Sequence, residues 1–207
     1  MIMHKKFLFF LFLGFFSPLY VAFAQNEIAK WRKEKIANQF TISVPDSFMP
    51  MTDDEYAKKY GAYKSAVLML SSQDKSADFG INRVETTPPK NFTKFDEKAT
   101  WSRNDLEMMR NLYKSSILKM HQKVTFIQDE IQTINGRDFV VFEFVAEVTE
   151  TETNYATGSA GVLKQYSYLQ YCVSESSIWV FNFTTQAKYR ALWEKAAREI
   201  MVSVAFK

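Results

Sequence analysis

The sequence predicts an α+β fold, a mainly antiparallel sheet with helices laid on its faces. Three observations carry that prediction. Two long extended runs meet at Asn135-Gly136, a dipeptide that accepts positive φ at both positions and suits a two-residue hairpin turn. A second pair of extended runs, Val162 to Glu175 and Ile178 to Thr185, follows in the chain. Amphipathic segments at helical spacing, Leu106 to Met120 and Gln186 to Val204, flank these hairpins and do not alternate with every strand, which argues against a wound dinucleotide-binding sheet.

The chain begins with an address. Lys5 and Lys6 precede an apolar run from Phe7 to Phe16, Ser17-Pro18 breaks it, and Ala22-Phe23-Ala24 has the small-x-small form of a signal-peptidase site. Residues 1–24 are therefore expected to be a signal peptide cut before Gln25. A retained anchor from Phe7 to Ala24 is the alternative. No cysteine lies near the cut, so no lipid-modified N-terminus is expected. Residues 25–34 then form an N-terminal arm, and 35–207 a single domain.

Within that domain, Lys35 to Val44 alternates Phe40, Ile42 and Val44 on one face and stops at Pro45, as a strand does. Thr52-Asp53-Asp54-Glu55 is a capping box. With Lys58 and Lys59 late and Gly61 as the stop, it marks one short helix. Lys64 to Ser72 and Phe79 to Thr86 are two further strands around a polar turn at 73–78. The Pro88-Pro89 stretch connects to Ser102, a helix cap with Asp105 at its third position, while Trp101 is placed to staple against Leu106. Leu106, Met109, Tyr113, Ile117 and Met120 share one helical face. In Arg137 to Val148, Val140, Phe142, Phe144 and Ala146 oppose Phe139, Val141 and Val145, so the strand is apolar on both faces and should be covered from both sides. Tyr189, Leu192, Trp193, Ala196, Ile200 and Val204 line one face of the closing helix.

Composition narrows the function. The chain of 207 residues has one cysteine and two histidines, which excludes a disulfide framework, an internal thiolate zinc site and a poly-histidine metal site. The leader removes two of the 26 basic residues and none of the 23 acidic ones, leaving 24 against 23, so the basic excess that nucleic-acid binding needs is absent. His4 leaves with it, and His121 remains.

The layout resembles the PsbP/Mog-like α/β/α sandwich, a family that includes secreted bacterial relatives of the DcrB type. The residues that carry the resemblance are Gln39-Phe40-Thr41-Ile42-Ser43-Val44-Pro45, Ala77-Asp78-Phe79-Gly80-Ile81-Asn82, Asn135-Gly136, and Trp179-Val180-Phe181-Asn182-Phe183 running into the helix from Tyr189 to Ala205. The resemblance spans nearly the whole domain. It implies an accessory or binding protein, since known members include an extrinsic photosystem subunit and a Ran-GTPase partner. The leader separates this chain from both of those roles, and no functional residue is carried over.

Chemical motifs are largely missing. There is no G-x-G-x-x-G, phosphate-binding loop, H-E-x-x-H or EF-hand, and Gly158-Ser159-Ala160-Gly161 is one residue short of a nucleophile elbow. His121 fits a favourable charge at a helix end, and Cys172 a buried small hydrophobe. Glu147, Glu150 and Glu152 are the candidate cation ligands, set against a solvated hairpin tip. Trp179, Phe181 and Phe183 share strand parity and are expected in the core. Tyr166 and Tyr168, assigned to the opposite and more polar face with Lys164 and Gln170, are the candidate partner-binding patch. Lys30, Trp31, Arg32 and Lys33 could touch an anionic membrane surface. No cofactor is expected. The sequence thus points to an exported, non-catalytic binding or accessory protein of the cell envelope, whose partner is an envelope protein. The rivals are a carrier of a small apolar ligand, lined by Met108, Met109, Ile117, Phe142 and Phe144, and a hydrolase built from Asp and Glu.

Overall fold

Every strand pairing in the fold is antiparallel, and the strands divide between two sheets. A computed structural model of the chain describes residues 30–60, 66–85, 101–149, 162–174 and 177–207. The elements in order are β1 (Trp31–Ile36), β2 (Phe40–Pro45), β3 (Phe48–Pro50), α1 (Asp53–Tyr60), β4 (Leu68–Ser72), β5 (Ala77–Glu85), α2 (Arg103–Met120), β6 (Val124–Ile134), β7 (Arg137–Thr149), β8 (Val162–Ser174), β9 (Ser177–Gln186), a 3-10 turn (Ala187–Tyr189), α3 (Arg190–Val202) and β10 (Ala205–Phe206). The large sheet runs β3-β4-β5-β9-β8-β7-β6, and the small one β1-β2-β10.

Local signals produce the elements expected of them. Asn135 and Gly136 sit at φ 49° and 80°, and Ile134 pairs with Arg137 across the turn. The Asn135 amide then donates to the carbonyls of Val202 (3.1 Å) and Val204 (2.8 Å), fastening this tip to the end of α3. The α1 capping box is reciprocal: the Glu55 N–H donates to Thr52 Oγ1 at 3.2 Å, and the Thr52 N–H to Glu55 Oε2 at 3.0 Å. Ser102 caps α2 by accepting from the Asp105 N–H at 3.3 Å. Glu55 is held below the usual carboxylate range by the Thr52 backbone bond and by Lys75.

Each face of the large sheet has its own core. Val140, Phe142, Phe144 and Ala146 pack with Leu106, Met109 and Ile117 under α2. Phe139, Val141, Phe181, Phe183 and Trp179 lie on the other face with Trp193, Ala197 and Ile200 of α3. Phe40, Ile42 and Val44 of β2 join this second cluster, so the small sheet shares the covering with α3.

The structure corrects the sequence reading at the start of the domain. Residues 35–44 are not one strand, because Ala37 and Asn38 turn at φ 48° and 57° and the Gln39 N–H closes on the Ile36 carbonyl at 2.9 Å. Nor is the stretch up to residue 34 an arm: Trp31 to Ile36 pairs along its whole length with Phe40 to Pro45. Ala37 and Gln39 do not signal a turn; Asn38, which tolerates positive φ, was the one mark of the hairpin in the sequence.

Candidate functional site

The face carrying α2 is apolar at its β6-β7-β8 end and turns polar toward β5. Register does this. Ser71 stands opposite Asp78, Asp78 opposite Thr184, and Thr184 opposite Ser167, while Asn182 lies between Gly80 and Leu169. The C-terminal turn of α1 ends over this stretch. The result is a cleft of about 490 Å³. Its described lining is Lys59 and Tyr60 of α1, Asp74, Lys75 and Ser76 of the β4–β5 turn, Asp78, Asn182, Thr184, Thr185 and Gln186 below, and Leu163, Gln165 and Tyr189 at the rim.

Asp78 is the buried charge of this cleft, and its oxygens are fully used. Oδ1 accepts from Ser71 Oγ at 2.8 Å, and Oδ2 from the Tyr60 hydroxyl at 2.5 Å. Lys59 Nζ lies 2.5 Å from Oδ2. Burial first, and the Asp78 charge second, push the Tyr60 phenol far above its ordinary value, so it stays a neutral donor. The Thr184 hydroxyl also bonds the Tyr60 oxygen.

One wall of the cleft is pinned from several directions. Lys75 adopts φ 59°, and Asp74 closes its turn by accepting from Ser72 Oγ (2.6 Å), the Ser76 N–H (3.1 Å) and Ser76 Oγ (2.7 Å). Burial works against the Asp74 carboxylate, but these bonds hold it below its usual range. Lys75 Nζ donates to Glu55 at 2.9 Å, tying the turn to α1. Trp193 Nε1 donates to Ser76 Oγ at 2.9 Å, and Thr185 Oγ1 to the Ser76 carbonyl at 2.7 Å, tying it to α3 and β9. Asn182 differs from these groups: its side-chain oxygen is buried and unpartnered.

Tyr166 and Tyr168 do not form an exposed patch. They are 0% and 2% exposed, and they share a face with Trp179, Phe181 and Phe183, because Tyr168 stands opposite Phe183 and Gln170 opposite Phe181. Their polar company is real but internal. The Tyr166 hydroxyl donates to Glu143 Oε1 at 3.0 Å, and Arg198 of α3 grips Glu143 with Nε to Oε2 at 3.1 Å and Nη2 to Oε1 at 2.9 Å. Burial and Glu143 push the Tyr168 phenol up to about 12. Glu143 and Arg198 were missed by sequence reasoning; a lone acid inside RDFVVFEFVAEV was the available signal.

The other nominated residues separate. Glu147 is paired to Lys123 (3.0 Å), Glu150 and Glu152 lie outside the described residues, and among the described residues no three His, Cys, Asp or Glu gather to hold a metal. Of the basic stretch, Arg32 is drawn inward, donating to the carbonyls of Pro45, Asp46 and Phe48, and Trp31 packs on the core. Lys30 and Lys33 stay exposed. His121 follows the last residue of α2, where burial lowers its pKa, and it leans on Phe144. Cys172 is buried, its thiol pushed up to about 12 by desolvation. Met108, nominated to line an apolar ligand cavity, is 64% exposed, while Met109, Ile117, Phe142 and Phe144 pack together in the core.

No family model and no curated protein matches the sequence. Among solved structures, the cyanobacterial PsbP of Synechocystis sp. PCC 6803 superposes with a TM-score of 0.52 at 11% identity, covering 87% of this chain and 94% of that one. The fold is PsbP-like. The Ran-binding protein Mog1p of Saccharomyces cerevisiae superposes with a TM-score of 0.45 at 9% identity, covering 84% of this chain and 94% of that one. At such identities the likeness is one of architecture. The PsbP-like sandwich expected from the sequence is present, with the small sheet added to the α3 layer. No helix among the described residues is long and apolar enough to cross a membrane.

Proposed function

We propose that this chain is an exported, non-catalytic binding protein of the cell envelope, acting through its surface with the polar cleft as its contact with a partner. One observation carries the reading. The ionised groups of the cleft are committed in place, Asp78 to Lys59 and Asp74 to the hydroxyls and N–H of its own turn, while neutral amides and hydroxyls are left to face a ligand. A general acid or base must be free to exchange a proton with a bound reactant. Asp78 spends both oxygens on the fold, and the raised Tyr60 phenol holds its proton at neutral pH. Glu143, the buried carboxylate under α3, is likewise committed to Arg198 and Tyr166. Polar groups held rigid by their neighbours suit recognition, since little order remains to be imposed on binding. Export rests on the leader at 1–24.

Two measurements test this. Recovery of the tagged full chain from fractionated bacteria, with N-terminal sequencing, should find it in the envelope beginning at Gln25; an intact leader on cytosolic protein would refute export. Cross-linking in the same cells should retain a discrete partner. Gln186→Arg, at an exposed position of the lining, with Tyr189→Ala on the rim should reduce that retention about tenfold, whereas Leu112→Ser on α2 should not. Equal retention by both variants would remove the cleft from the function.

A further inference from the structure

Resting on the cleft as the binding surface, we propose that its ligand is a neutral carbohydrate, an uncharged ring with several hydroxyls read by amide and hydroxyl side chains. The charges of the cleft are already engaged within the fold. Lys59 lies on Asp78, Lys75 on Glu55, and Asp74 within its own turn. An anion that drew Lys59 away would leave the Asp78 side chain, 4% exposed, a buried charge without its cation, and a cation at Asp74 would compete with the hydrogen bonds that close its turn. A neutral ligand leaves every pair standing.

What remains open is neutral and two-sided. Gln186 is exposed, Gln165 gives one N–H to Ser167 Oγ and Thr184 bonds the Tyr60 oxygen, so each keeps part of its hydrogen-bonding capacity, while the Asn182 oxygen is buried without a donor. A sugar hydroxyl both donates and accepts, which matches amide and hydroxyl side chains of this kind. Tyr189 and Leu163 are exposed apolar side chains at the rim, able to meet the C–H face of a sugar ring. The volume of about 490 Å³ falls within the range of small-ligand sites. An extended peptide is disfavoured because β5, β9 and β8 are interior strands, with neighbours on both edges and no free backbone to extend.

The test is a titration of the isotopically labelled full chain by amide NMR. The neutral probes are glucose, N-acetylglucosamine, cellobiose and diacetylchitobiose. Glucuronate and glucosamine are the charged counterparts, and N-acetyl-alanyl-alanine amide is the peptide control. At least one neutral sugar should shift the amides of Ser76, Asn182, Thr184 and Gln186. Its charged counterpart should bind about fivefold more weakly, and Asn182→Ala should weaken binding about fivefold, the loss of one hydrogen bond. Gln186→Ala, at an exposed position, serves as a second variant should Asn182→Ala disturb the fold. Shifts from none of the four sugars, or stronger binding of the charged ones, would overturn the assignment. If the peptide alone moves these amides, or no probe does, the carbohydrate class falls, and the cleft reading is decided separately by the cross-linking comparison of the Gln186/Tyr189 and Leu112 variants.

Discussion

Glu143 lies on β7, beside the edge strand β6, with its side chain fully buried, and Arg198 reaches it from α3 with two hydrogen bonds. Replacing Arg198 by Met keeps an unbranched apolar stem and removes the charged head, leaving Glu143 with the Tyr166 hydroxyl as its donor. Breaking a fully buried pair in this one-sided way costs about 3–5 kcal/mol. Arg198 is 44% exposed on its outer side, where Glu194 also binds it at 2.9 Å, so solvent offsets part of that loss. A cost of about 2–3 kcal/mol is expected, the low end of the buried range. For a domain of this size that is a fall in melting temperature of about 4–12 °C. The diagnostic variant is the double, Arg198→Met with Glu143→Leu. With both charges gone, no buried carboxylate is stranded, although the Tyr166 hydroxyl loses its acceptor, and stability should return to within about 1–2 kcal/mol of wild type. Urea unfolding followed by both circular dichroism and tryptophan fluorescence measures Arg198→Met, Glu143→Leu and the double variant against wild type, and the two single changes with the double define the coupling directly. An Arg198→Met protein within about 0.5 kcal/mol of wild type, or a double variant worse than the single, would refute the account.

Three further outcomes are expected. Tyr166→Ala combined with Tyr168→Ala should abolish folding, since truncating a large buried aromatic costs about 3–5 kcal/mol each, while Tyr166→Phe should cost only about 1–2 kcal/mol for the Glu143 hydrogen bond; a folded double alanine variant, by circular dichroism, would put both rings back at the surface. Tyr60, Tyr166 and Tyr171 have phenols raised chiefly by burial, and the Tyr168 phenol sits at about 12. Unfolded tyrosine ionises near pH ~10, so the unfolded chain loses protons first and stability falls above that pH by up to about 1.4 kcal/mol per unit for each such residue; urea midpoints that hold steady or rise from pH 9 to 11 would contradict this. Gly136→Ala should cost about 1–2 kcal/mol through its positive φ, although nothing crowds the added methyl, and an unchanged melt would show the turn relaxing to another type.

Much of the fold could be read from local signals because those signals were chemically unambiguous. Asn135-Gly136, the Thr52–Glu55 box and the Ser102 cap each admit one backbone solution, and each formed as expected. The two-sided strand Arg137–Thr149 also declared its coverage, because a residue on either face had to be apolar. What failed were inferences about which residues share a face across strands. Tyr166 and Tyr168 were set against Lys164 and Gln170 by counting along one strand, but their placement depends on the β8–β9 register, which fixes Tyr168 opposite Phe183. Polarity misled in the same way: Lys164 does extend from this face into solvent, while Gln170 two positions past Tyr168 is fully buried.

The cleft was illegible for a related reason. Its parts come from α1, the β4–β5 turn, β5, β8, β9 and the 3-10 turn, and each is locally ordinary: a helix end, a polar turn, a Thr-Thr pair. Asp78 was equally ordinary as the last residue of the expected polar turn at 73–78; in the structure it lies inside the strand Ala77–Glu85, beside Phe79. Its burial follows from α1 arriving above it with a lysine and a phenol, a meeting set by tertiary packing. The same face under α2 carries Phe142, Phe144 and Ala146 and is shut by that helix. A helix that seals an apolar stretch removes it from contact with ligands; a helix that ends over a polar stretch leaves hydrogen-bonding groups open beside a neutralised charge. The difference between the two halves of one sheet face therefore decides which stretch is sealed and which stays open, and it arises from six strand positions: Ser71, Asp78, Asn182, Thr184, Ser167 and Gln165.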